Sequence, residues 1–135
     1  MITRRVAMSK RKILVVDDEK DIITTVSTRL KAKGFDVITA MDGKQATETA
    51  KAELPDLILL DIGMPICDGH AVAQQLREYD KTASIPIIFL TARTSEEDFL
   101  SAYDEKVCKY VTKPFNPDEL MGVIEEVLPT KAERA

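Results

Sequence analysis

The chain has 135 residues, 44% of them hydrophobic, with 19 basic and 23 acidic side chains and a formal net charge of −4. That length suits one domain with a substantial core, and no apolar run reaches the ~18–20 residues that would span a bilayer. Two cysteines, Cys67 and Cys108, are too few for a disulfide framework and are expected to be reduced thiols in a cytoplasmic protein.

Charge is unevenly spread. Arg4, Arg5, Lys10, Arg11 and Lys12 crowd the first twelve residues with no acid among them, which leaves 14 basic against 23 acidic side chains elsewhere. An acidic body argues against nonspecific duplex binding. The N-terminus lacks the apolar segment of a secretory signal, so residues 1–11 are expected to form a flexible basic arm.

The rest of the chain alternates short apolar runs with helical patterns. The first predicted strand, at about 12–16, ends at the pair Asp17-Asp18, and Ile22, Val26 and Leu30 then recur at helical spacing. A second strand at about 35–40 leads through Asp42-Gly43, a turn-and-cap pair, into a helix marked by Ala46 and Ala50. The third strand, at about 56–60, is the continuously apolar DLILL and stops at Asp61. After Asp68-Gly69 a third helix draws on Ala71, Leu76 and Tyr79. The fourth strand, at about 86–90, reaches Thr91; Thr94 and Glu97 have capping-box spacing ahead of a fourth helix anchored by Phe99 and Leu100. The fifth strand, at about 107–111, precedes Lys113-Pro114. Asn116-Pro117-Asp118-Glu119 then opens a fifth helix through Leu120, Val123, Ile124 and Val127, with an N-cap, a first-turn proline and first-turn acids.

Five β-α alternations imply a parallel sheet with helices on both faces. Ligands of such sheets bind beyond the carboxyl ends of the strands, at a topological switch point. Asp17, Asp18, Asp61, Thr91 and Lys113 all fall at that edge. Three carboxylates brought together repel unless a cation joins them, and Mg²⁺ prefers oxygen ligands. A carboxylate so placed can attack phosphorus and form an acyl phosphate, while Lys113 offers a point positive charge and Thr91 a hydroxyl. Each residue also has an ordinary reading: Asp17 or Asp18 as a helix cap, Lys113 as a surface lysine, Thr91 as a strand end. Pro114 disfavours helix at Lys113 and suggests a fixed turn, with a cis bond as one form.

The segments VVDDE, LLDIGMPICDG, FLTAR and YVTKPF resemble the motifs of the response-regulator receiver domain of two-component signalling, CheY-like in type, over about residues 12–128. The resemblance implies a flavodoxin-like, doubly wound five-stranded parallel sheet in the order 2-1-3-4-5. It implies that Asp61 is the phosphoacceptor. Mg²⁺, with Mn²⁺ as a substitute, would be held by Asp18, Asp61 and the backbone carbonyl of Gly63, with Asp17 acting largely through water. Thr91 and Lys113 would bind phosphoryl oxygens, and Thr91 and Tyr110 would form the switch. The implied function is a phosphorylation-dependent change of the partner-binding surface, without a separate substrate and so not an enzyme in the usual sense. The phosphodonor would be a histidine kinase or histidine phosphotransfer protein, and the output a protein target, with no direct DNA binding and no membrane. The readout face would combine the fourth helix, fifth strand and fifth helix, around Tyr103, Lys109 and Tyr110, and could also carry a homodimer.

Departures from the pattern fall at Lys106-Val107-Cys108-Lys109-Tyr110, where the family has an acidic stretch beginning with glycine, and at Gly63 and Arg93, positions that tune acyl-phosphate hydrolysis. His70, the sole histidine, is expected at the surface, and Cys67 is expected to pack or be partly exposed. Residues 129–135 are a short tail, consistent with a single-domain regulator or a receiver from a longer chain. Three other readings stay open: a metal-dependent aspartyl-phosphate phosphatase, a flavodoxin-type cofactor binder, and a pseudo-receiver that binds without phosphate.

Overall fold

The computed structural model describes residues 10–62, 69–91 and 108–128. Five strands, β1 (Lys12–Val16), β2 (Asp36–Ala40), β3 (Leu57–Asp61), β4 (Ile87–Thr91) and β5 (Cys108–Thr112), form one sheet. All neighbours run parallel, in the order β2-β1-β3-β4-β5. Each strand starts and ends within about one residue of its predicted span. Four helices are described: α1 (Lys20–Ala32), α2 (Gly43–Glu53), α3 (Gly69–Glu78) and α4 (Pro117–Val127). The helix α4 is the fifth of the sequence reading; Thr94, Glu97, Phe99 and Leu100 of the predicted fourth lie outside the described residues.

Strand periodicity sorts the core into two layers, because successive side chains point to opposite faces. Leu14, Val16, Ile58, Leu60, Ile87 and Phe89 pack with Ala46 and Ala50 of α2 and with Val72, Ala73 and Leu76 of α3. Their sequence neighbours Ile13, Val15, Leu57, Leu59, Ile88 and Leu90 pack with Val26 and Leu30 of α1 and with Leu120, Met121 and Ile124 of α4. Burial on both faces is why β1 and β3 are continuously apolar rather than alternating.

Local signals set the helix ends. Asp42 caps α2, its side chain accepting from the Gln45 N–H at 2.8 Å, while Gln45 Oε1 accepts the Met41 N–H at 2.8 Å. Asn116 caps α4, accepting from the Asp118 N–H at 2.7 Å, with Pro117 in the first turn. The chain leaves α1 through Gly34 at φ 94°, where the Phe35 N–H returns to the Leu30 carbonyl at 3.0 Å; positive φ there suits glycine.

Tyr79 departs from the sequence reading. It lies one residue beyond α3, is 37% exposed, and has Lys51 Nζ 5.1 Å from its ring centroid. The buried face of the helix is Val72, Ala73 and Leu76. Just beyond it, buried Thr82 donates its hydroxyl to the Leu76 carbonyl at 2.6 Å, satisfying a carbonyl of the last helical turn. Among the described residues no helix is long and apolar enough to cross a membrane.

Candidate functional site

The sheet order reverses between β1 and β3. The pairing of Val16 with Leu60 sets Asp17 and Asp61 side by side at the carboxyl edge, just past the last apolar pair. The Asp17 N–H is held by the Ala40 carbonyl at 3.2 Å, which extends the ladder to that residue. Asp17 is fully buried and Asp61 is 6% exposed, so these charges need partners.

Lys113 supplies one partner. Its Nζ lies 2.8 Å from Asp17 Oδ2, 3.4 Å from Glu19 Oε1 and 3.6 Å from Asp61 Oδ2. The Lys113 side chain is only 12% exposed. Burial by itself would lower the pKa of this ammonium; the hydrogen bond to Asp17 and the charges of Asp17, Asp61 and Glu19 outweigh it and raise the value. The peptide bond between Lys113 and Pro114 is cis.

Asp17 fills two roles at once. Its Oδ1 accepts the Glu19 N–H at 2.9 Å, fixing the entry to α1, while Oδ2 holds Lys113. Asp17 is not the helix cap, since Glu19 holds the N-cap position; it braces the turn that leads into the helix. Asp18 is exposed, and oxygens of Asp17, Asp18 and Glu19 lie within 4.8 Å of one another. Asp61 is not in that cluster and joins the site through Lys113. Three carboxylates thus stand around one ammonium, with Asp18 beside two of them, and every one of these side chains offers a hard oxygen. This set fits an oxygen-loving divalent cation and does not fit a thiolate or imidazole metal.

Glu19 is the site residue that the sequence did not single out. The signal was present, since it is the third acid of a run of three. Its role depends on where Lys113 arrives, 94 residues further along the chain. Thr91 ends β4 in register with Thr112 of β5, so its backbone stands at the same edge. On β5, Lys109 and Tyr110 are exposed, Tyr110 by 40%. Gly63, Cys67, Arg93, Tyr103 and Lys106 lie outside the described residues, and of His70 only the backbone is described, in the first turn of α3.

A doubly wound parallel sheet with buried acids and one lysine at its switch point has the architecture of a phosphoacceptor signalling domain. The family model for the response regulator receiver domain matches residues 13–125. The chain belongs to this family, whose members are phosphorylation-dependent switches of two-component signalling. It is 44% identical over 121 residues to the probable transcriptional regulator ycf27 of Porphyridium aerugineum, covering 90% of this chain and 49% of that one. The chain spans about half the length of the curated relatives it matches. The chemotaxis protein CheY4 of Vibrio cholerae superposes with a TM-score of 0.81 at 32% identity, covering 89% of this chain and all of that one. The response regulator TrrA of Thermotoga maritima, solved in complex with Mg²⁺-BeF, superposes with a TM-score of 0.76 at 37% identity, over 87% of this chain and 99% of that one.

Proposed function

We propose that Asp61 accepts a phosphoryl group from a phosphohistidine of a histidine kinase or phosphotransfer protein. The observation that carries this reading is the buried Asp61 carboxylate at the end of β3, 3.6 Å from the Lys113 ammonium at the switch point of the sheet. One Asp61 oxygen attacks phosphorus, the P–N bond to the donor imidazole breaks, and the imidazole leaves with the bonding pair and takes up a proton. Lys113 and Thr91 bind phosphoryl oxygens as charge builds on them. Mg²⁺, or Mn²⁺ in its place, would be held by Asp18, Asp61 and the Gly63 carbonyl, with Asp17 acting through water, and would offset the charge of the transferring group. No second substrate is turned over, so the domain assists its own phosphorylation without being an enzyme in the usual sense.

The switch follows from modest energies. A hydrogen bond to a charged group contributes about 1.5–3 kcal/mol, enough to bias a two-state equilibrium by about one to two powers of ten. Thr91 drawn towards the phosphoryl group would make room for Tyr110, now 40% exposed at the surface of β5, to turn inward. The face carrying Lys109 and Tyr110 then reads out the state to a downstream protein or to a second copy of the chain.

We assign the receiver to residues 12–128 and place it in the cytoplasm; Arg11, expected in the basic arm, is instead tied to the sheet, its carbonyl accepting the Asp36 N–H at 2.9 Å. Its acidic body favours protein partners over direct contact with DNA. A phosphatase with its nucleophile after β1 is disfavoured, because Asp17 is fully buried and its Oδ1 is held by the Glu19 N–H. The test is intact mass after incubation with Mg²⁺ and acetyl phosphate. A single base-labile phosphoryl adduct, absent from Asp61→Asn, is expected; an adduct that survives this substitution, or none in wild type, overturns the assignment.

A further inference from the structure

Lys113 has three N–H donors and three carboxylates around it, at 2.8, 3.4 and 3.6 Å. The contact to Asp17 is fixed, because Asp17 is fully buried and its other oxygen is held by the Glu19 N–H. The other two donors serve Glu19 and Asp61, which pull the nitrogen in different directions, so its position is shared between them. Glu19 is built to compete. Its backbone is pinned at both ends, the N–H to Asp17 Oδ1 at 2.9 Å and the carbonyl to the Ile23 N–H at 3.2 Å. It occupies the N-cap position of α1, yet its side chain makes no capping hydrogen bond. With no capping bond to hold it, the carboxylate reaches Lys113 while remaining 61% exposed.

We infer that Glu19 is a positioning residue that draws the Lys113 ammonium away from Asp61 and so weakens the hold of the site on a phosphoryl group. The inference rests on Asp61 being the acceptor. A phosphoryl group on Asp61 draws on the same ammonium that Glu19 engages, so the Glu19 contact works against the approach of Lys113 to it. An exposed ion pair is a weak competitor, and the size of the effect follows from that: a factor of about two to five in affinity. Glu19 thereby sets how readily the domain loads and how long it stays loaded, without touching the reacting atoms.

Beryllofluoride, the species bound with Mg²⁺ in the TrrA structure, is the probe. Its affinity would be measured calorimetrically at saturating Mg²⁺, so that a lower cation affinity in a variant does not enter. Glu19→Gln removes the charge with little change of shape; Glu19→Asp keeps the charge but shortens the reach by one methylene. Both variants are expected to bind the probe about two- to fivefold more tightly than wild type, and acyl-phosphate lifetime should lengthen in parallel. Unchanged or weaker binding in Glu19→Gln overturns the inference. Tighter binding in Glu19→Gln with wild-type binding in Glu19→Asp also overturns it, since charge alone would then suffice without the Lys113 contact. Absence of any Asp61-dependent binding in wild type would instead bring down the acceptor assignment, a failure separate from that of Glu19.

Discussion

Replacing Asp18 by asparagine should stabilise the domain in the absence of divalent cations and make it less responsive to them. Asp18 shares a 4.8 Å cluster with Asp17 and Glu19. Among the described residues Lys113 reaches Asp17, Glu19 and Asp61, but it makes no ion pair with Asp18. Asp18 therefore adds repulsion to the apo site without a compensating contact. Two unit charges 4.8 Å apart repel by about 0.9 kcal/mol in bulk water and by about 3.5 kcal/mol at an effective dielectric of 20. Because Asp18 and Glu19 are exposed, the water-like figure governs, and salt trims it further. Asp17 is already compensated by Lys113 at 2.8 Å, so Glu19 supplies most of the repulsion and the gain is about 1 kcal/mol, or about 4 °C in Tm for a domain of this size. A cation at ten times its dissociation constant adds about 1.4 kcal/mol to the form that binds it, which should reverse the order of the two proteins. Thermal unfolding followed by circular dichroism at low salt, with chelator and then with Mg²⁺, reads both effects. A variant that melts at or below wild type in chelator would refute the repulsion argument. An equal Mg²⁺ shift in both proteins would remove Asp18 from the cation site.

Lys113→Met should cost about 1.5–3 kcal/mol in urea unfolding at neutral pH, because buried Asp17 loses its charged donor. The folded state raises the Lys113 pKa. Its contribution is therefore fully present below the ordinary value of about 10.4 and is lost as pH rises through the higher folded-state value; on the alkaline side the wild-type advantage over the variant should narrow in that range. Asn116→Ala removes the cap that accepts the Asp118 N–H and should lower stability by about 1 kcal/mol with an unchanged m-value. Leu30→Ala, at a fully buried position between α1 and the sheet, should cost about 2–5 kcal/mol in the same assay; a loss below 1 kcal/mol there would contradict the assigned core.

The strands were legible because β1, β3 and β4 are buried on both faces, and such strands must be continuously apolar. Asp17 and Asp61 stood out for the same reason, each ending a run that otherwise excludes charge. Asp42 and Asn116 announced their helices because capping is a local interaction, complete within three or four residues. Tyr79 misled because helical spacing alone does not say where a helix stops; the carbonyl of Leu76 is taken by Thr82, beyond the pattern.

By itself, then, the sequence determined the alternation of strands and helices, the caps, and the membership of one edge of the sheet by Asp17, Asp18, Asp61, Thr91 and Lys113. Tertiary structure decided how the charges divide among themselves. Lys113 binds Asp17 most closely, reaches Glu19 next and holds Asp61 at 3.6 Å. These residues come from three separate stretches of chain, and the order of contacts depends on sub-ångström differences set by how β1, β3 and the turn after β5 pack together. Periodicity and capping act over a few neighbouring residues, whereas the partition of one buried ammonium among competing carboxylates is a property of the assembled sheet edge.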